Sequence, residues 1–174
     1  MKAALSLLTL VALGMTACAP TQAGSQSYTP VVHTTPNEIT AVAPGQTVYT
    51  QYTYSGDVLG IADARFEALD INFSAAQYSD QVVGPEAEAA WLRLSASGLP
   101  AGVQVSLVRA TIARPISRTN VSGGSVRVTY TEVVRVLLKV TAATTARPGQ
   151  SAVLLTFSDG AGTGTVPLRL NVTR

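Results

Sequence analysis

A period-two alternation of apolar and polar residues constrains this chain more than any other feature of its sequence. Residues 166–172 alternate in this way, and so do residues 125–140, where Glu132 is the one interruption. Alternating strands bury one face and leave the other in water. We therefore predict β-structure with one wet face and a bulge or twist at Glu132. The residues predicted to face inward in the longer segment are Val126, Val128, Tyr130, Val134, Val136, Leu138 and Val140.

Shorter segments of the same kind recur between turn residues along the rest of the chain. Only 13% of the residues are charged and 47% are hydrophobic, a composition that suits a packed core. The one helical candidate is residues 85–90. We predict an all-β fold, an antiparallel β-sandwich of about seven strands that occupies residues 38–174. The further predicted strands are residues 47–54, 69–73, 90–96, 103–107 and 152–157.

The first residues of the chain have the features of an export signal. Lys2 precedes an apolar run over residues 3–17, and Cys18, the only cysteine, follows it. Because a membrane-spanning helix needs about 20 apolar residues, we interpret residues 1–17 as a signal peptide that is removed. A lone thiol at the cleavage point of an exported protein calls for an explanation, since an oxidising compartment makes free cysteines a liability.

The residues Met15-Thr16-Ala17-Cys18 resemble the lipobox of bacterial lipoproteins. The resemblance implies that lipid on Cys18 anchors the chain to a membrane of the cell envelope, since two or three acyl chains bind a bilayer durably. In a bacterium with two membranes, Ala19, in place of the retention aspartate of this family, favours the outer over the inner membrane. The alternative is an ordinary secreted protein cut at the same place. Residues 18–37 contain three prolines and little charge, and we interpret them as a flexible tether.

Two later segments resemble bacterial immunoglobulin-like domains. Residues 96–103 read Ala-Ser-Gly-Leu-Pro-Ala-Gly-Val, and residues 140–157 have the strand-turn-strand pattern of these domains around Pro148-Gly149. The resemblance implies an immunoglobulin-like sandwich and says little about function. Residues 56–81 match least and form an apparent insertion, which we take as the best site for contact with a partner.

Few residues offer catalytic or metal-binding chemistry. His33, the only histidine, falls in the predicted tether as a bystander, and Lys139 falls on the wet face of a strand. One cysteine and one histidine exclude a Cys/His metal cage. A cluster of carboxylates is open to a calcium or acid–base interpretation, but its wide spacing favours solvated loop charges. Its members are Asp57, Asp63, Glu67 and Asp70.

The aromatic residues leave two alternatives. Tyr52 and Tyr54 share one face of a strand and Tyr49 lies on the other, so the pair either caps the edge of the core or forms, with Trp91, a binding surface. Scattered arginines and a net charge of +2 exclude a nucleic-acid patch.

The sequence thus predicts no enzyme, no cofactor and no metal site. It favours an envelope lipoprotein whose sandwich is a structural or protein-binding module. The alternative is a carbohydrate-binding or enzyme-accessory module that uses Trp91 as a sugar platform. The predicted partners are the membrane, through the lipid on Cys18, and an envelope protein or glycan.

Overall fold

The computed structural model describes residues 29–67, 86–113, 116–120 and 126–174. The predictions for the signal peptide, Cys18, the first part of the tether and the strand at residues 69–73 lie outside these ranges. The described part is mostly strand and contains one short helix, α1 (Ala64–Glu67). The strands are β1 (Val31–Val32), β2 (Ile39–Val42), β3 (Thr47–Ser55), β4 (Glu86–Glu88), β5 (Arg93–Ser97), β6 (Val103–Ala113), β7 (Ile116–Asn120), β8 (Val126–Tyr130), β9 (Val133–Ala142), β10 (Gly149–Ser158) and β11 (Thr163–Val172).

The strands form two larger sheets and a ribbon. The five-stranded sheet has the order β1-β3-β9-β6-β4, the four-stranded sheet has the order β2-β11-β10-β5, and β7 pairs with β8. The prediction of an all-β fold is confirmed. The prediction that every pair is antiparallel is wrong, because β1 runs parallel to β3 and β2 runs parallel to β11. Both parallel strands are too short to show an alternation in the sequence.

The inner faces of the two larger sheets share one hydrophobic core. The predicted inward residues Val134, Val136, Leu138 and Val140 of β9 are fully buried, and they belong to the same cluster as the buried side chains of β10 and β11. Two sheets that bury their apolar faces against each other form a stable two-layer architecture. The described residues therefore build a β-sandwich.

The predicted strand at residues 125–140 is divided in two. Strand β8 ends at Tyr130 and β9 begins at Val133, so the irregularity expected at Glu132 is a break rather than a bulge. Ala113 lies opposite Val133, and Ile116 lies opposite Tyr130. The β7–β8 ribbon therefore keeps the register of the β6–β9 hairpin. A register shift occurs instead in β6, between Leu107 and Arg109.

The domain begins earlier than predicted, which corrects the tether boundary at residue 37. Strand β1 pairs with β3, and the amide of His33 donates to the carbonyl of Gln51 at 2.9 Å. Residues 31–37 are therefore held by the sandwich. The sequence of residues 31–37 does not indicate this, because the segment is rich in proline and threonine and is held by residues of β3 that are distant in the chain.

The helical candidate at residues 85–90 does not form a helix in its described part, residues 86–90. Glu86–Glu88 is the strand β4, and it pairs with the end of β6. The local run of Glu and Ala favours a helix, but a segment this short is decided by the neighbouring strand and not by propensity.

The described part of the predicted insertion is built into the core. Residues 56–60 form a turn, α1 follows, and Leu59, Ile61 and Phe66 are buried. The backbone at Gly60 lies directly against that of β11, so that a Cβ at Gly60 would stand 2.3 Å from the carbonyl oxygen of Thr163. We call residues 56–67 the connecting segment, and it is packed too closely to be a free loop.

Candidate functional site

The two tyrosines predicted as a possible binding surface are inside the protein. Tyr52 is 1% exposed and Tyr54 is 4% exposed. Both alternate with the outward side chains of β3 and join a row of rings that runs from His33 through Tyr52 and Tyr54 to Phe157. The surface alternative is therefore wrong for this pair. Their hydroxyls differ: that of Tyr52 lies 2.7 Å from Thr40 Oγ1, and that of Tyr54 has no hydrogen-bond partner among the described residues.

His33 is the centre of a polar network at the start of the domain. Its ring is buried and stacks on Tyr52 with a centroid separation of 4.5 Å. Nδ1 lies 3.1 Å from Glu38 Oε2, and Nε2 lies 3.3 Å from Thr40 Oγ1. The prediction that His33 is a bystander in a tether is wrong. Its contacts join β1 to β2 and β3, and we call His33, Glu38, Thr40 and Tyr52 the N-terminal network.

Glu38 organises the turn between β1 and β2. Its Oε1 accepts hydrogen bonds from the Thr34 hydroxyl at 2.7 Å and from the amides of Thr34 and Thr35 at 2.8 Å. Hydrogen bonds to the charged form favour it. The Thr34 hydroxyl, the Thr35 amide and His33 together lower the pKa of Glu38 to about 2. The carboxylate therefore stays charged throughout the physiological range.

Trp91, the third residue of the predicted binding surface, is partly exposed but is covered on one face. The guanidinium of Arg65 lies 4.6 Å from the centre of the indole ring. Arg65 also donates from Nη2 to the carbonyl oxygen of Asp159 at 3.0 Å. A cation over an aromatic face occupies the surface on which a sugar would stack. The structure therefore pairs Trp91 with the connecting segment.

Asp159 is the residue that fastens the connecting segment, and the sequence did not reveal it. Its buried carboxylate accepts hydrogen bonds from the amides of Ala62 at 3.0 Å, Ala161 at 2.8 Å and Gly162 at 2.7 Å. The bond from Ala62 is the largest of the effects that lower the pKa of Asp159. Asp159 and Gly160 lie in the hairpin turn between β10 and β11, and nothing in the sequence pointed to Ala62. We call Asp159 with these amides the Asp159 clamp.

The predicted carboxylate cluster is only partly brought together. Asp57 and Asp63 line an open hollow of about 490 Å³ with Glu132 and Phe66. Glu67 ends α1, and Asp70 lies outside the described residues. The Ser55 hydroxyl is the main cause that lowers the pKa of Asp57. Within the described ranges, no three histidine, cysteine or acidic side chains are placed to hold a metal ion.

The outer face of the five-stranded sheet carries paired charges. Arg135 forms an ion pair with Glu86, and Arg109 Nε lies 3.8 Å from Glu88 Oε1. Lys139, predicted on the wet side of its strand, is exposed there. Opposite charges thus meet across β4, β6 and β9.

The outer face of the four-stranded sheet is different. Arg169 of β11 lies between its paired residues, Ile39 of β2 and Ala152 of β10. Two residues along each strand, Leu154 of β10 is paired with Pro167 of β11. Ile39 is 42% exposed and Leu154 is 48% exposed. No acidic residue occupies an outward position on these four strands, whose complete ranges are described. We call Ile39, Ala152, Leu154, Pro167 and Arg169 the Arg169 face.

In the part of the chain that the structure describes, no helix has both the length and the apolar character required to cross a membrane. Comparison with known proteins returns no significant match to a family model, a curated protein or a solved structure.

Proposed function

We propose that the chain is a lipoprotein of the bacterial cell envelope, anchored by lipid on Cys18, and that its immunoglobulin-like sandwich is a structural or protein-binding module. The signal peptide and the lipobox-like residues 15–18 support the anchor. Ala19 favours the outer membrane. The module is then carried on a tether from Cys18 to about Pro30, which is shorter than the sequence alone predicts.

The strand order supports the immunoglobulin-like interpretation. Such domains place strands A, B, E and D in one sheet and C, F and G in the other. The order β1-β3-β9-β6 corresponds to the first sheet, and β5-β10-β11 corresponds to the second. Strand β2 then continues A onto the second sheet. Strand β4 and the β7–β8 ribbon are additions to this plan.

The observation that carries the binding role is the contrast between the fastened connecting segment and the open Arg169 face. The connecting segment is the described part of the insertion at residues 56–81 that was first expected to contact a partner, and residues 68–81 lie outside the described ranges. It is held by Asp159, Arg65 and the glycine backbone of β11. The Arg169 face exposes apolar side chains around a cation. Contiguous apolar side chains at a surface indicate an interaction site. The cation above Trp91 favours a protein partner over a glycan.

Metabolic labelling with an alkyne-tagged fatty acid tests the anchor. We expect the wild-type chain to carry the label and to sediment with membranes, and a Cys18→Ser chain to lose both properties. A wild-type chain that is exported, soluble and unlabelled would contradict the anchor. Circular dichroism of both proteins controls for folding, which the substitution should leave unchanged.

Crosslinking in intact cells followed by identification of the captured molecules tests the binding role. A discrete protein partner is expected. A glycan array probed with the wild type and with Trp91→Ala separates the alternative, because binding that depends on Trp91 would favour a carbohydrate module.

A further inference from the structure

We propose that the Arg169 face binds a partner protein through a carboxylate of that partner, received by the Arg169 guanidinium and flanked by apolar contacts to Ile39 and Leu154. This inference rests on the proposed binding function and specifies its surface and the chemistry of its partner.

Among the described residues of the domain, the charge of Arg169 has no counterpart. The side chain is exposed and forms no ion pair with any residue in the described ranges. Glu38, which precedes the neighbouring Ile39 in β2, turns its carboxylate to His33, Thr34 and Thr35. The other arginine of this sheet, Arg93, donates to the carbonyls of Ala90 and Leu92. Within the described ranges, Arg169 is therefore the cation of this face that has no ion-pair partner.

The surroundings of Arg169 favour one specific anion. A shallow hollow of about 200 Å³ lies beside it, and its lining includes Ile39, Gln150, Ser151 and Ala152. A guanidinium offers a planar fork of donors that matches a carboxylate. Ile39 and Ala152 supply apolar contacts beside such a pair, and Gln150 and Ser151 supply polar ones.

The same face is poorly suited to a lipid surface. Recognition of anionic membranes uses clusters of about four to eight basic residues. This face presents one free arginine and no lysine. A flat sheet face with a central cation instead suits a protein surface, on which one acidic residue is ringed by apolar ones.

A titration with matched peptides tests the proposal. The full chain in detergent micelles, labelled with ¹⁵N, receives acetyl-Ile-Glu-Ile-amide or acetyl-Ile-Gln-Ile-amide. We expect saturable shifts of the amides of Ile39, Ala152 and Arg169, with the Glu peptide binding about tenfold more tightly, as one charge-assisted hydrogen-bonded pair allows. Arg169→Gln should abolish that preference. Arg109→Gln, on the opposite face of the sandwich, should retain it.

Several outcomes would overturn the proposal. These are the absence of shifts on this face, equal binding of the two peptides, or a preference that survives Arg169→Gln. Binding of vesicles of phosphatidylglycerol and phosphatidylethanolamine that Arg169→Gln abolishes would assign the face to lipid instead. Protein crosslinks in cells that persist with Arg169→Gln would refute this face and leave the proposed binding function intact.

Discussion

The sandwich holds two segments with carboxylates, residues 31–38 and the connecting segment, and it does so in different ways. The N-terminal network holds residues 31–38 through a partly exposed Glu38, a buried histidine and a stacked ring. The Asp159 clamp holds the connecting segment through a fully buried carboxylate and backbone amides, next to glycines that permit backbone contact. The connecting segment is therefore part of the core, whereas residues 31–38 are attached to that core.

The largest effect is expected where the connecting segment meets β11. Gly60 has a φ of +65°, and an added Cβ would stand 2.3 Å from Thr163 O. Gly60→Ala therefore combines left-handed strain with a backbone clash, and we expect it to lower the free energy of unfolding by about 3 kcal/mol or more. Urea denaturation measures this loss.

Gly160→Ala is the matched control. Its φ is +90°, but nothing lies within 4 Å of an added Cβ. The loss should be about 1 kcal/mol, from strain alone. Equal losses for the two variants would contradict close packing of the connecting segment.

The Asp159 clamp comes next in size. Asp159→Ala leaves the amides of Ala62, Ala161 and Gly162 without their acceptor, and we expect a loss of about 3 kcal/mol in urea denaturation. Asp159→Asn keeps one acceptor oxygen and should lose less.

The stability contributed by the charge of Asp159 also depends on pH. The pKa of Asp159 is below its ordinary value of 3.8 in the folded protein. The charge therefore stabilises the fold above pH 3.8, and this contribution disappears as the pH falls below that value. The difference between the wild type and Asp159→Asn should shrink in the same range. A difference that is constant down to pH 2 would contradict the role of the charge.

The two buried tyrosines give a smaller effect that isolates the Tyr52 hydroxyl, which lies 2.7 Å from Thr40 Oγ1 and donates to the carbonyl oxygen of Glu38 at 3.4 Å. Tyr52→Phe removes the 2.7 Å contact with Thr40, and we expect a loss of about 1 kcal/mol. Tyr54→Phe removes a hydroxyl that has no partner among the described residues, and it should be neutral or stabilising. Thermal unfolding monitored by circular dichroism compares the two. The reverse ranking would contradict the network.

The smallest effect belongs to Glu38, because its carboxylate is partly exposed and screened by water. Its pKa falls from 4.5 to about 2 on folding, so its charge stabilises the fold above pH 4.5 and loses that effect as the pH falls to about 2. Glu38→Gln should be less stable than the wild type at pH 7 and equal to it near pH 2. Denaturation at several pH values measures this, and a difference that grows at low pH would contradict it.

The sequence predicted the parts of the fold that are written in local alternation. Strands β3, β9, β10 and β11 and the fully buried residues of β9 follow from it. Strands β1 and β4 did not, because each is two or three residues long and exists through its neighbour. The contact of Gly60 with Thr163 and the bond from Ala62 to Asp159 join residues about a hundred positions apart, which no local pattern records.

The candidate site was less predictable than the fold. Alternation predicted that Tyr52 and Tyr54 share one face of the sheet, but it did not show whether that face is buried or exposed. In the structure the face is buried. Trp91 is partly exposed, and its cover by Arg65 depends on how the connecting segment folds. Arg169 appeared only as one of several scattered arginines. Its lack of a neighbouring opposite charge depends on the strand order β2-β11-β10, which places the apolar residues Ile39 and Ala152 beside it.

Native-state hydrogen exchange at two amides tests most directly that both segments belong to the sandwich. The His33 amide donates to Gln51 O at 2.9 Å, and the Ala62 amide donates to the Asp159 carboxylate at 3.0 Å. We predict that both are protected, with Ala62 exchanging only on near-global unfolding and His33 opening at a lower free energy. Exchange of the His33 amide at the rate of an unstructured peptide would contradict the account and return residues 31–37 to the tether.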